Sequence, residues 1–151
     1  MKQHFEHFLV TTDFSADGDR AIAVAFRLAD DHGARVTLCH VLDAVRPPNP
    51  IYAQYYPTEL FKPEVAHRAE ENALRELGTR VPPDLGGVAH DCVVSHGDPA
   101  DEIVRHAEER GCDLVLIATH GRTGLRHALL GSVAEKVMRR ARCSVMVVRE
   151  S

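Results

Sequence analysis

Tryptophan is absent from this chain of 151 residues, and phenylalanine and tyrosine together make up only 5% of it. A core must therefore be built from aliphatic side chains. No apolar run approaches the roughly 18 residues of a membrane span, and the amino-terminal MKQHFEHFLV lacks the apolar region of a secretory leader. The expected setting is the cytoplasm, with no membrane partner. An excess of positive charge is missing too: 18 Lys and Arg stand against 22 Asp and Glu, a net charge of −4. The basic residues are scattered, so nucleic acid is not an expected partner.

Cysteine is sparse and unpaired in sequence. Cys39, Cys92, Cys112 and Cys143 form no C-x-x-C and lie in or beside predicted strands, as buried thiols do. Ten histidines invite a metal, and His4 and His7 share an i, i+3 spacing, but no carboxylate or cysteine cluster completes a ligand set, so no metal site is expected. The P-loop lysine pattern and G-x-G-x-x-G are both lacking.

What is present reads as one domain over residues 1–151, with 44% hydrophobic and 26% charged residues, the balance of a globular chain. Phe8 to Thr12 is a short apolar run ending at Asp13 and Ser15, a strand followed by a helix cap. A helix starts near Ala16, with Ile22, Ala25, Phe26 and Ala29 on its apolar stripe and Gly33 as its stop. Arg35 to Val41 is a second strand. Residues 43 to 62 hold four of the eight prolines and all three tyrosines, which predicts a long irregular loop. Val65, Ala69, Ala73 and Leu77 mark a second helix stopped by Gly78, and loop continues to Gly87.

His90 to Ser95 is a third strand. Asp98-Pro99 predicts a cap and first turn for a helix reaching about Arg110. Asp113 to Ala118 is strand four, Val133 to Arg142 a last helix, and Ser144 to Val148 strand five. Strands alternating with helices imply right-handed crossovers and an α/β fold: a doubly wound, five-stranded parallel sheet with helices on both faces, Rossmann-like in type. In such sheets ligands sit beyond the carboxyl ends of the strands where strand order reverses, here the loops after strands one, two and four.

The loop after strand four, ATHGRTGLRHALLGS, is the richest of these. Gly121 and Gly124 permit positive φ and close approach to the main chain. Gly131-Ser132 opens the last helix, whose first amides have no internal partners and attract anions, phosphate above all. A second reading fits the same residues: Ser132-x-x-Glu135 is a capping box that needs no ligand. Arg122 and Arg126 have the guanidinium forks that suit terminal phosphates, although loop arginines often face only water. His120 is placed for proton transfer or for solvent, with no carboxylate identifiable beside it.

These landmarks, with VTTDFS after strand one, His40-Val41-Leu42, HGDPADEIV, DLVLIATHGRTG and the ending SVMVVR, resemble the universal stress protein family over essentially the whole chain. The family's nucleotide-binding members carry glycine, two residues, glycine, nine residues, then Gly-Ser or Gly-Thr. Here nine residues separate Gly121 from Gly131-Ser132, and Ala118 takes the place of the first glycine. The resemblance implies strand order 3-2-1-4-5 and ATP, with or without Mg²⁺, bound between strands one and four. By position it implies Asp13 on the ribose hydroxyls, the Val41 backbone on the adenine edge, and Gly121, Gly131, Ser132 and the Val133 amide on phosphates. Thr12 adds a backbone contact. Asp13 also fits a local turn with Ser15.

The resemblance further implies a homodimer through the last strand, Ser144 to Val148, whose edge would otherwise expose unpaired backbone. The expected role is a nucleotide-regulated stress-response module acting on an unidentified protein partner, with Tyr52, Tyr55 and Tyr56 as a lid or partner patch, or packed on the second helix. The alternatives are a dimeric scaffold that binds no nucleotide and a slow ATP hydrolase. Phosphoryl transfer needs a positioned metal, an oriented nucleophile and cationic stabilisation, and only the last has candidates here.

Overall fold

A computed structural model of the chain describes residues 5–43, 50–121 and 130–150. Five strands form one all-parallel sheet: β1 (His7–Thr11), β2 (Arg35–Leu42), β3 (His90–His96), β4 (Leu114–Ala118) and β5 (Ser144–Val148). Their order is β3-β2-β1-β4-β5, as expected. The chain winds outward from β1 through β2 to β3, crosses back to β4, and ends at β5, so the order reverses between β1 and β4.

Alternate strand residues feed two cores. Phe8, Val10, Val36 and Leu38 face α1 (Ala16–His32) and α2 (Pro63–Thr79), meeting Ile22, Phe26 and Leu77. Leu9, Cys39, Val115 and Ile117 face α3 (Pro99–Glu109) and α4 (Ser132–Arg140), meeting Ile103 and Val137. All five residues of β1 are buried, as a parallel strand covered on both faces requires. The cysteines lie on or beside the strands as free thiols, Cys39 and Cys112 buried.

Local chemistry sets the helix ends. Ser15 caps α1 by accepting from the Gly18 amide (3.2 Å), and Gly33 closes it at φ 67°. Asp98 caps α3, accepting from the Asp101 amide at 3.1 Å, with Pro99 in the first turn. Two expectations fail here. Gly78 does not stop the second helix, which runs on to Thr79 and is capped at Arg80 in right-handed conformation, so no left-handed residue is needed. Residues 43–62 are not wholly irregular: Pro50–Tyr55 and Thr58–Phe61 form 3-10 turns, and Pro83–Leu85 forms another before β3. The last helix also starts one residue early and ends two residues early. Among the described residues no helix is long and apolar enough to cross a membrane.

Candidate functional site

At the carboxyl end of the sheet, where β1 and β4 part, lies a cleft of about 410 Å³, within the range of small-molecule sites. Thr12, Asp13, Gly18, Val41, Gly121 and Ser132 are among its lining residues. The apolar wall comes from Val41, Leu42, Pro99, Ile103 and Ile117.

The turn after β1 is tightly determined. Thr12 donates its amide to the Cys39 carbonyl (3.0 Å) and accepts the Phe14 amide on Oγ1 (3.0 Å). Asp13 accepts the Ser15 amide (3.0 Å) and hydroxyl (2.5 Å) on Oδ1, so the local turn anticipated as an alternative role is formed. Phe14 takes φ 64°, the single positive-φ non-glycine among the described residues. Gly18 sits beneath this turn, and a Cβ there would lie 2.4 Å from Thr12 Oγ1.

That turn also shapes the end of β2. Cys39 bonds toward β1 and Leu42 bonds toward β3, accepting the Gly97 amide at 3.2 Å. Main-chain groups alternate sides along a strand, so Val41 points its N–H and C=O toward β1. The Phe14 amide, which would continue the ladder there, is turned back onto Thr12. The Val41 backbone therefore faces the cleft.

The third wall is the β4–α4 connection. Ala118 ends β4 in extended conformation, paired with Val148, and is not in the left-handed region. Gly121 is not there either, contrary to the expectation. Its missing side chain serves close approach: a Cβ would lie 2.5 Å from Asp13 Oδ2. Gly131 likewise presses on Thr119, donating its amide to the Thr119 carbonyl (2.7 Å), and a Cβ there would meet that oxygen at 2.8 Å. Arg122, Gly124 and Arg126 lie outside the described residues, as does the side chain of Tyr52. Tyr55 is 75% exposed, so it does not pack into α2.

The capping box expected at Ser132 is not formed. Gly131 is the N-cap, Ser132 is already the first helical residue, and no side chain caps the helix. Glu135 instead pairs with Arg139 at 2.9 Å. The amino end of α4 thus opens on the cleft with its positive dipole end unscreened by a capping side chain.

The Asp101 amide and the Lys136 ammonium, 3.6 Å away, hold Asp98 below the usual carboxylate range. Burial pushes the thiol of Cys39, a core residue next to His40, up to about 12, which keeps it neutral. Among the described residues no group of three or more His, Cys, Asp or Glu side chains is arranged to hold a metal. His40 and Phe14, which shape the site most directly, were not singled out from sequence. The available signal was a histidine two residues from the end of a mostly apolar strand.

The sequence profile of the universal stress protein family matches residues 4–149. A universal stress protein of Bacillus subtilis (strain 168), YxiE, is 31% identical over 147 residues, covering 96% of this chain and 99% of its own. Among solved structures, that of Methanocaldococcus jannaschii MJ0577 superposes with a TM-score of 0.78 at 27% identity, covering 99% of both chains. A universal stress protein crystallised in complex with cAMP superposes with a TM-score of 0.66 at 25% identity, covering 97% of this chain and 98% of its own.

Proposed function

Because the chain belongs to the universal stress protein family, we propose that its cleft binds an adenine nucleotide, ATP with or without Mg²⁺, and that binding regulates a dimeric stress-response module. The observation that carries this reading is the uncapped start of α4 opening on the same cleft as Asp13 and the Val41 backbone. An N–H beside a C=O at Val41 matches the acceptor and donor on the adenine edge. The Ser132 and Val133 amides offer the phosphates neutral donors, and Gly121 and Gly131 form the tightly packed connection that presents them. Asp13 and Thr12 stand where a ribose would lie between base and phosphates. Ala118 removes no positive-φ requirement, and His120 lines the phosphate side. Arg122 and Arg126 are the cations assigned to the terminal phosphates. When bound, Mg²⁺ would supply further charge neutralisation there.

The dimer surface in this reading is the edge of β5. Its residues are half-buried or exposed and Met146 is 37% exposed, so a second copy laid along Ser144–Val148 would satisfy the edge. Titration calorimetry of ATP and ADP into nucleotide-free protein, into Asp13→Ala and into Gly131→Val tests the binding reading. Saturable binding lost or weakened at least tenfold in both folded variants is expected. No binding by the folded parent chain would leave the scaffold without nucleotide as the better reading.

A further inference from the structure

We infer that His40 is a positioning residue that fixes the backbone from which the Asp13 carboxylate projects into the cleft, an inference that rests on the nucleotide reading of the cleft. His40 is buried at the end of β2, and its Nδ1 lies 2.7 Å from the Thr12 carbonyl oxygen. A carbonyl only accepts, so Nδ1 carries the proton and donates. Thr12 is therefore held at both ends, its amide on Cys39 and its carbonyl on His40. That fixes the plane of the peptide leading into Asp13.

The residue after Asp13 is fixed from the same source. The Phe14 ring lies against the His40 ring, with centroids 4.2 Å apart and a 33° tilt. The ring also packs against the core and meets Arg80, whose guanidinium sits 5.5 Å from the ring centroid and is itself held by Asp19 and Glu76. Phe14 stands at φ 64°, a conformation that disfavours any bulky side chain and persists only where the surroundings impose it. Here they do: the imidazole, the guanidinium and the core against its ring, and the Thr12 hydroxyl on its amide. Asp13 sits between two residues that His40 pins, with Oδ1 spent on Ser15 and Oδ2 turned toward Gly121. The Ser15 amide and hydroxyl select the Asp13 rotamer at Oδ1. The imidazole fixes the backbone on either side, from which that side chain springs.

The test compares affinities for ATP and 2′,3′-dideoxy-ATP in the parent chain, His40→Leu and His40→Asn, with thermal melts as a fold control. The parent chain is expected to favour ATP by about tenfold or more, the worth of hydrogen bonds to a carboxylate. In His40→Leu that ratio should collapse toward one, the loss falling on ATP, and His40→Asn, which keeps a donor, should recover part of it. A role in stability alone would weaken both ligands equally, and an unchanged ratio overturns the inference. Should His40→Leu not fold, Phe14→Leu decides: removal of the stack lowers the ratio severalfold, or the inference fails. A parent chain that binds both nucleotides alike overturns the ribose role of Asp13 and this inference together, while nucleotide binding stands. A parent chain that binds neither overturns the nucleotide reading itself.

Discussion

Two single residues carry much of the argument, and each has a measurable counterpart. Ala118 stands where the motif set out from the sequence has its first glycine, but its extended backbone, paired with Val148, asks nothing of a glycine. Ala118→Gly should leave nucleotide affinity within about threefold and lower stability by about 0.5–1 kcal/mol through lost backbone order. A large gain in affinity on calorimetry would show that the methyl obstructs the cleft. His7, at the opposite end of the sheet, donates Nε2–H to Thr37 (2.8 Å), since the Thr37 hydroxyl is committed to Asp91 at 2.6 Å. Burial and then the Arg35 guanidinium hold His7 below the usual histidine value, and His106 is lowered by burial and Arg105. The unfolded chain accepts protons near pH 6.5 that the folded chain refuses, so stability is whole above that pH and falls as pH drops toward the lowered values. Urea midpoints measured from pH 7.5 to 5 should decline, and His7→Gln should flatten part of the slope.

At the scale of elements, strands and helices were legible because apolar periodicity changes cleanly between period two or continuous runs and period 3.6. Caps were legible where a side chain does the capping, as at Ser15 and Asp98, and Asp98→Ala should cost about 1 kcal/mol in denaturant unfolding. They were misread where tertiary contact decides. Ser132-x-x-Glu135 has the letters of a capping box, but the Gly131 contact with Thr119 starts the helix one residue sooner. Gly78 was read as a stop because glycine usually is one, while the chain closes α2 without a left-handed residue. Phe14 could not be foreseen at all, since no local preference places a bulky aromatic at positive φ. The edge element yields its own test: Val147→Pro removes a backbone donor in β5 and should convert a dimer, by light scattering, to monomer or insoluble protein. A soluble dimer of unchanged mass would move the interface elsewhere.

At the scale of the whole molecule, strand order and the place of the cleft follow from one another, since the reversal between β1 and β4 leaves a gap that neither crossover covers. The sequence indicated that gap through its loops. It did not indicate which side chains would be spent on one another there, as Asp13 is on Ser15, because such pairings depend on distances between segments. Nucleotide binding should be visible globally: at about one hundred times Kd, ATP would stabilise the fold by about 2.7 kcal/mol, raising Tm by roughly 5 to 10 °C. Asp13→Ala should lose most of that rise.

The four free cysteines have a consequence in redox terms. Burial raises all four thiols, Cys39 and Cys112 to about 12, so the reactive thiolate is scarce at neutral pH. No disulfide among them holds the sheet together, and nothing in the fold is lost on reduction. A peroxide that inactivates proteins built around an exposed thiolate would find no such thiolate among these four cysteines. The sheet is thus held by packing and hydrogen bonds alone, and a reducing agent removes no covalent link from it.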